Sequence, residues 1–217
     1  GFNLNIPLDD NFEFHTGLLF EISTVMEKEN RLVTELDPYG MGTLDFLALT
    51  TQLSFDNRDD RELPFKGYFF DLYTNVYPPT INNKDIFGKV TFDGKTYISA
   101  EYITDFTVAL RAFGEVAWGK YPFYKGASIG GSKTLRGFSR DRFVGESALL
   151  GSVELRCFLT DVYFLVPFKL GMNLFTDSGS VCYKYRRQRA ICESFASGCR
   201  GHGSDRSDPG GAAESRR

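Results

Sequence analysis

Apolar and polar residues alternate along most of the chain up to position 177, and the alternation breaks at turns rich in Gly, Pro, Asp and Asn. This period of two predicts seven strands, at 12–23, 44–56, 65–77, 86–98, 104–118, 149–160 and 166–177. In the fifth, Phe106, Val108, Leu110, Val116 and Trp118 share one face, while Asp105, Arg111 and Glu115 share the other. In the sixth, Leu149, Val153, Leu155, Cys157 and Leu159 oppose Ser152, Glu154, Arg156 and Thr160. In the seventh, Phe168, Leu170, Met172 and Leu174 oppose Lys169, Asn173 and Asp177. The first sets Phe12, Phe14, Leu18, Phe20 and Ile22 against Glu13, His15 and Glu21.

Strands with one apolar and one charged face suit a wide barrel with a wet lumen. They also suit a soluble sandwich with polar outer faces, so alternation alone does not decide. Length favours the barrel. Several segments run about 12–15 residues, against about 5–6 for an ordinary soluble strand. Connections at 24–43, 78–85 and 119–148 fall at one end of the strands, and those at 57–64, 99–103 and 161–165 at the other. The first set is longer on the whole, as extracellular loops are relative to periplasmic turns. Asp93-Gly94 could form a tight hairpin, but Val90, Phe92 and Ile98 keep one parity across it, which favours a continuous strand.

Composition narrows the picture further. The chain opens on Gly1, with neither an initiator Met nor a basic-plus-apolar leader, which predicts an origin in a longer precursor. No apolar run reaches the 18 residues of a transmembrane helix, but membrane strands need only about 9–11 residues. The mean hydropathy of -0.24 therefore suits a barrel or a soluble domain alike. The 21 Phe and 11 Tyr suit strands and the aromatic girdles of a bilayer surface. A net charge of -3 with interspersed signs gives no basis for nucleic-acid binding. The four cysteines, Cys157, Cys182, Cys192 and Cys199, show no metal-ligand spacing, and Cys157 reads as a small apolar strand residue.

The most informative stretch is the polar, glycine-rich run from Gly130 to Phe143, with Leu135-Arg136-Gly137-Phe138 at its heart. Loops this long between strands are uncommon in compact domains and tend to carry function. The run resembles the Arg-Gly-Phe/Tyr loop of the Omp85 superfamily, also called the BamA/TamA or surface antigen D15 family. Three further stretches resemble that family in the same order. They are Asp56-Asn57-Arg58-Asp59 with Pro64 and Gly67, then Glu154-Leu155-Arg156, then Phe175-Thr176-Asp177-Ser178-Gly179-Ser180-Val181. The resemblance implies an all-β fold, the C-terminal part of an antiparallel transmembrane barrel, with about seven strands at 1–181. It also implies that the loop folds back into the lumen, where Arg136 pairs with Glu154 and Asp177. Strand parity independently puts both carboxylates on the polar face. Gly137 is then expected to let the backbone pass close to the wall, and Phe138 to wedge the tip.

The residues offer no catalytic assembly. The stretch Gly126 to Thr134 brushes the phosphate-binding loop pattern, but Ser132 stands where Lys is required and a strand follows. His15 and His202 are isolated, so no metal, cofactor or nucleophilic triad is expected. Glu13, His15 and Glu21 read as lumen-lining residues, and Asp59 to Glu62 as a solvated turn.

Beyond Val181 the alternation gives way to Arg, Gly and Cys, and 182–217 is expected to be a non-barrel tail. It reads either as a disordered basic segment or as the product of a shifted reading frame. Read one nucleotide later, Arg186 onward can encode a turn and a strand ending in Glu-x-Arg.

By resemblance, the expected function is that of a non-enzymatic barrel of the bacterial outer membrane that inserts outer-membrane proteins or translocates polypeptides. Its expected partners are outer-membrane lipid, unfolded β-barrel or secreted clients, and periplasmic or lipoprotein accessory subunits. A two-partner secretion pore and a soluble β-sandwich binding module are the alternatives.

Overall fold

The computed structural model describes residues 1–26, 38–80, 82–101, 105–163, 167–185 and 189–198. Eleven strands account for nearly all of them. They are β1 (Phe2–Asp9), β2 (Phe12–Val25), β3 (Gly42–Asp56), β4 (Gly67–Tyr77), β5 (Phe87–Glu101) and β6 (Asp105–Gly119). β7 (Ala127–Ile129), β8 (Phe143–Gly145), β9 (Ser147–Tyr163), β10 (Pro167–Tyr185) and β11 (Arg189–Gly198) follow. Nine of these form one sheet in the order β1-β2-β3-β4-β5-β6-β9-β10-β11, and β7 pairs only with β8. Every pairing is antiparallel. Chain neighbours are thus sheet neighbours throughout, interrupted only by the β7–β8 hairpin within the long loop.

All seven expected strands are present, most with ends within three residues of those expected; β4 begins at Gly67, two residues late, and β10 continues to Tyr185. Asp93-Gly94 lies inside β5, where Gly94 pairs with Phe70 and Ala112. Four strands were not anticipated: β1, the short β7 and β8 within the long loop, and β11. β1 carries its own alternation, Phe2, Leu4, Ile6 and Leu8 against Asn3, Asn5 and Asp9, and it pairs with β2. The expected boundary at Val181 falls within β10, which runs on to Tyr185 and pairs with β11. Cys182, which is disulfide-bonded, stands opposite Cys192 in that register. Residues 27–37, 102–104, 164–166 and 199–217 lie outside the described residues, as do the side chains of Asp105, Leu159, Thr160, Phe168, Lys169 and Leu170.

The two faces of the sheet differ as strand parity requires. One is apolar and bare: Phe20, Ile22, Leu49, Val116, Val153 and Met172 are exposed, with Ile98 59% and Leu149 60% accessible. Among the described residues no second sheet covers it, and a sandwich would bury this face. A contiguous apolar surface of this extent is far beyond what a monomeric protein leaves in water. The opposite face carries the charged residues and the long loop. It is not uniformly polar. Phe46, Phe87, Leu150 and Val181 lie on it and are buried, because the loop covers them. A strand of 15 residues, such as β3, extends about 50 Å, enough to cross a hydrocarbon layer at a tilt and project beyond it.

Candidate functional site

The connection from β6 to β9 lies on the charged face and is built from two parts. Its root contains the short 3-10 turn Phe123–Lys125. Further along, β7 and β8 pair as a hairpin whose closed end holds the Leu135–Phe138 segment. That end is fixed internally. Gly130 N–H donates to Thr134 Oγ1 at 2.8 Å, and Gly131 N–H donates to the Phe138 carbonyl at 3.1 Å. Gly137 is exposed and has φ of 90°, a left-handed conformation that disfavours any side chain.

Leu135 drives the seating. It has no exposed surface and packs with Ala127, Ile129, Ala148, Leu150 and Val181, drawn from the loop, β9 and β10. Full burial of one such side chain is worth about 1.5–3 kcal/mol. Phe138 is half-buried against the same cluster and meets Phe143 edge-on at 5.2 Å.

Arg136 follows Leu135 and turns toward the wall. Its Nε donates to Asp177 Oδ2 at 2.7 Å and its Nη2 to Asp177 Oδ1 at 2.6 Å, while Nη1 donates to Glu154 Oε2 at 3.0 Å. Nη2 also donates to Ser152 Oγ at 3.0 Å, and the guanidinium lies 3.6 Å from the centre of the Phe175 ring. Ser152 and Asp177 are direct partners across β9 and β10, as are Glu154 and Phe175. One paired patch of two strands therefore supplies every group that receives the arginine. Glu154 Oε1 accepts in turn from Arg156 Nε at 2.7 Å and Asn173 Nδ2 at 2.9 Å.

Two arginines thus face two carboxylates, with Asp177 wholly buried and Glu154 mostly so. A buried carboxylate is costly without a partner, and the planar fork of Arg satisfies two oxygens at once. The loop is tied to β5 and β6 as well. Arg111 makes a bidentate pair with Asp93 and donates through Nη1 to the Lys133 carbonyl, and Glu115 Oε2 accepts from Ser128 N–H at 2.7 Å.

The structure brings Leu135, Arg136, Phe138, Glu154 and Asp177 into one cluster, while Gly137 turns outward at its edge. Sequence reasoning placed Ser152 on the polar face by parity without giving it a role, and missed the stacking role of Phe175. The register between β9 and β10 would have found both. Among the described residues, no three His, Cys, Asp or Glu side chains converge to hold a metal.

At the other end of the strands, the turn after β3 is equally specific. Arg58 grips Asp56 through Nε at 2.7 Å and Nη2 at 2.8 Å. Asp59 Oδ1 accepts from the backbone N–H of Asp60, Phe65 and Lys66. Those backbone bonds, chiefly from Lys66, hold its carboxyl below the usual range. Gly67 closes the turn at φ of 111°, where a Cβ would collide with the Asn57 carbonyl oxygen.

Residues 2–203 match the Omp85 superfamily domain. A crystal structure of BamA from Haemophilus ducreyi lacking POTRA domains 1-3 superposes with a TM-score of 0.57 at 14% identity. The match covers 92% of this chain and 50% of that one, so this chain spans half the length of that POTRA-truncated chain and the likeness is one of fold. No curated protein matches the chain. A domain match over nearly all the described residues, a bare apolar sheet face and the fold of a BamA barrel lead to one assignment: the chain belongs to the Omp85 superfamily and forms the C-terminal part of a transmembrane β-barrel of the bacterial outer membrane.

Proposed function

We propose that this barrel segment serves the insertion of outer-membrane proteins or the passage of polypeptides across the outer membrane. Its bare face meets lipid, and its charged face lines the lumen. The observation that carries the reading is the loop itself. It lies along the lumen wall and is tethered by groups that hydrogen-bond and stack, so it is held in place without covalent linkage. Such a tether is strong when every bond is made and fails as a unit, which suits a part that rearranges. No bond chemistry is assigned to the site, because its carboxylates are committed to arginines. The clients are unfolded barrel proteins or secreted chains, with periplasmic or lipoprotein subunits as accessories.

The test is reconstitution of a full-length protein carrying this chain in lipid vesicles with an unfolded barrel client. Client folding, read as protease resistance, should accelerate over empty vesicles, and Arg136→Ala should remove most of that gain. Vesicles with and without the protein giving equal client folding would contradict the reading. Release of one secreted polypeptide, with no effect on barrel clients, would instead mark a two-partner secretion pore.

A further inference from the structure

A second charged contact of the long loop lies far from Arg136. Lys125, at the end of the root turn, donates from Nζ to Glu21 Oε1 at 2.8 Å and to Oε2 at 2.7 Å. The same ammonium stands 5.5 Å from the centre of the Phe46 ring and 5.3 Å from that of Tyr77. Glu21 and Phe46 are direct partners across β2 and β3. Tyr77 stacks on Phe87 at 4.4 Å, and Phe46 meets both rings edge-on, at 6.0 Å and 5.8 Å.

A carboxylate beside two desolvated ring faces is a combination that holds a cation. Here the receptor and its occupant belong to different parts of the fold. Glu21, Phe46, Tyr77 and Phe87 sit on four consecutive strands, and the rings brace one another without Lys125. The ammonium comes from the loop. The cage therefore persists when the loop root lifts. Asn75, two residues before Tyr77 on the same face of β4, is buried, and among the described residues its Oδ1 has no hydrogen-bond partner.

We infer that this cage is a receptor for primary ammonium groups, occupied at rest by Lys125 and opened to a lysine side chain of a client polypeptide when the loop root moves. Both Glu21 oxygens accept from a single nitrogen, which selects a primary ammonium over a quaternary one that has no N–H to give. As an intramolecular ligand, Lys125 competes at an effective concentration on the order of millimolar, so outside lysines enter only after it withdraws. The lysine occupant rests on the polypeptide-handling reading above; the ammonium receptor does not.

The experiment has two arms on the full-length protein. In the first, ligand-observed NMR follows n-butylammonium with the Lys125→Ala variant, its β-sheet circular dichroism checked against wild type. Binding in the millimolar range is expected, weakened at least tenfold by adding Glu21→Gln, with tetramethylammonium binding at least tenfold more weakly. No binding, or equal binding of the two cations, overturns the receptor. In the second, a carbodiimide couples Glu21 to any lysine amine in contact, with loss of water. Glu21 should couple to Lys125 in the wild type, and to client lysines in Lys125→Arg during client handling. The Arg variant preserves the cation that seats the loop. Binding of n-butylammonium with no coupling to client lysines overturns the lysine occupant and leaves the cage standing.

Discussion

Arg136 meets Asp177 through its backbone as well as its side chain: the Arg136 amide donates to Oδ2 at 3.1 Å, while the guanidinium takes both carboxylate oxygens. One buried carboxylate therefore fixes where the loop's main chain runs and where its charge sits. Lysine could keep the first contact but not the second, because a single ammonium cannot span both oxygens and also reach Glu154.

Removing the guanidinium leaves Asp177 buried without its cation, a loss of about 3–5 kcal/mol for a pair of this kind. Arg136→Ala should therefore raise protease cleavage between residues 120 and 146 well above wild type, and Arg136→Lys should fall between them. Cleavage rates indistinguishable across the three proteins would deny that the pair holds the loop.

Leu135→Ala is expected to destabilise the same seating by about 2–5 kcal/mol through the cavity left among Ile129, Leu150 and Val181. Gly137→Ala should cost roughly 1–2 kcal/mol, since φ of 90° strains any Cβ. Urea titration of loop protection measures both, and Leu135→Ala must prove the larger effect.

The legibility of the sequence follows from the range of each contact. Parity alone put Glu154 and Asp177 on one face, because side-chain direction in a strand is a local property. The lumen-facing apolar residues Phe46, Leu150 and Val181 break the simple rule of oily outside and polar inside. Only the folded loop explains them, as the partner that buries them. β1 escaped notice although Phe2, Leu4, Ile6 and Leu8 alternate, because Pro7 and the Asp9-Asp10-Asn11 turn interrupt a short segment. The Lys125–Glu21 contact joins residues 104 apart, and no local pattern announces it.

Acid should loosen the turn after β3. Asp59 has a folded pKa held below its ordinary value by the backbone N–H groups of Lys66, Phe65 and Asp60. A depressed carboxylate pKa contributes stability that is full above the ordinary Asp range and is lost as pH falls through the lower folded value. Amide hydrogen exchange at Phe65 and Lys66, corrected for intrinsic rate, should show protection falling with acid in the wild type. In Asp59→Asn the protection should be low and flat with pH; an unchanged wild-type profile in the variant would exclude Asp59 as the cause.

The reading frame beyond Arg186 is open to one direct check. If a shifted frame underlies the tail, the gene carries, one nucleotide out of register, codons for a turn and a strand ending in Glu-x-Arg. Stop codons in that frame would assign the tail to the protein as written.

The central claim is that the bare apolar face meets lipid while the charged face encloses the loop. Spin labels placed singly at positions 148–156 of β9, in a full-length protein in lipid vesicles, report it most directly through their collisions with oxygen dissolved in the bilayer. The odd positions, among them Leu149 and Val153, should show high oxygen accessibility, and the even positions, among them Leu150, Ser152 and Glu154, low accessibility, with a period of two along the strand. Equal accessibility at both parities, or the reverse phase, would contradict the account.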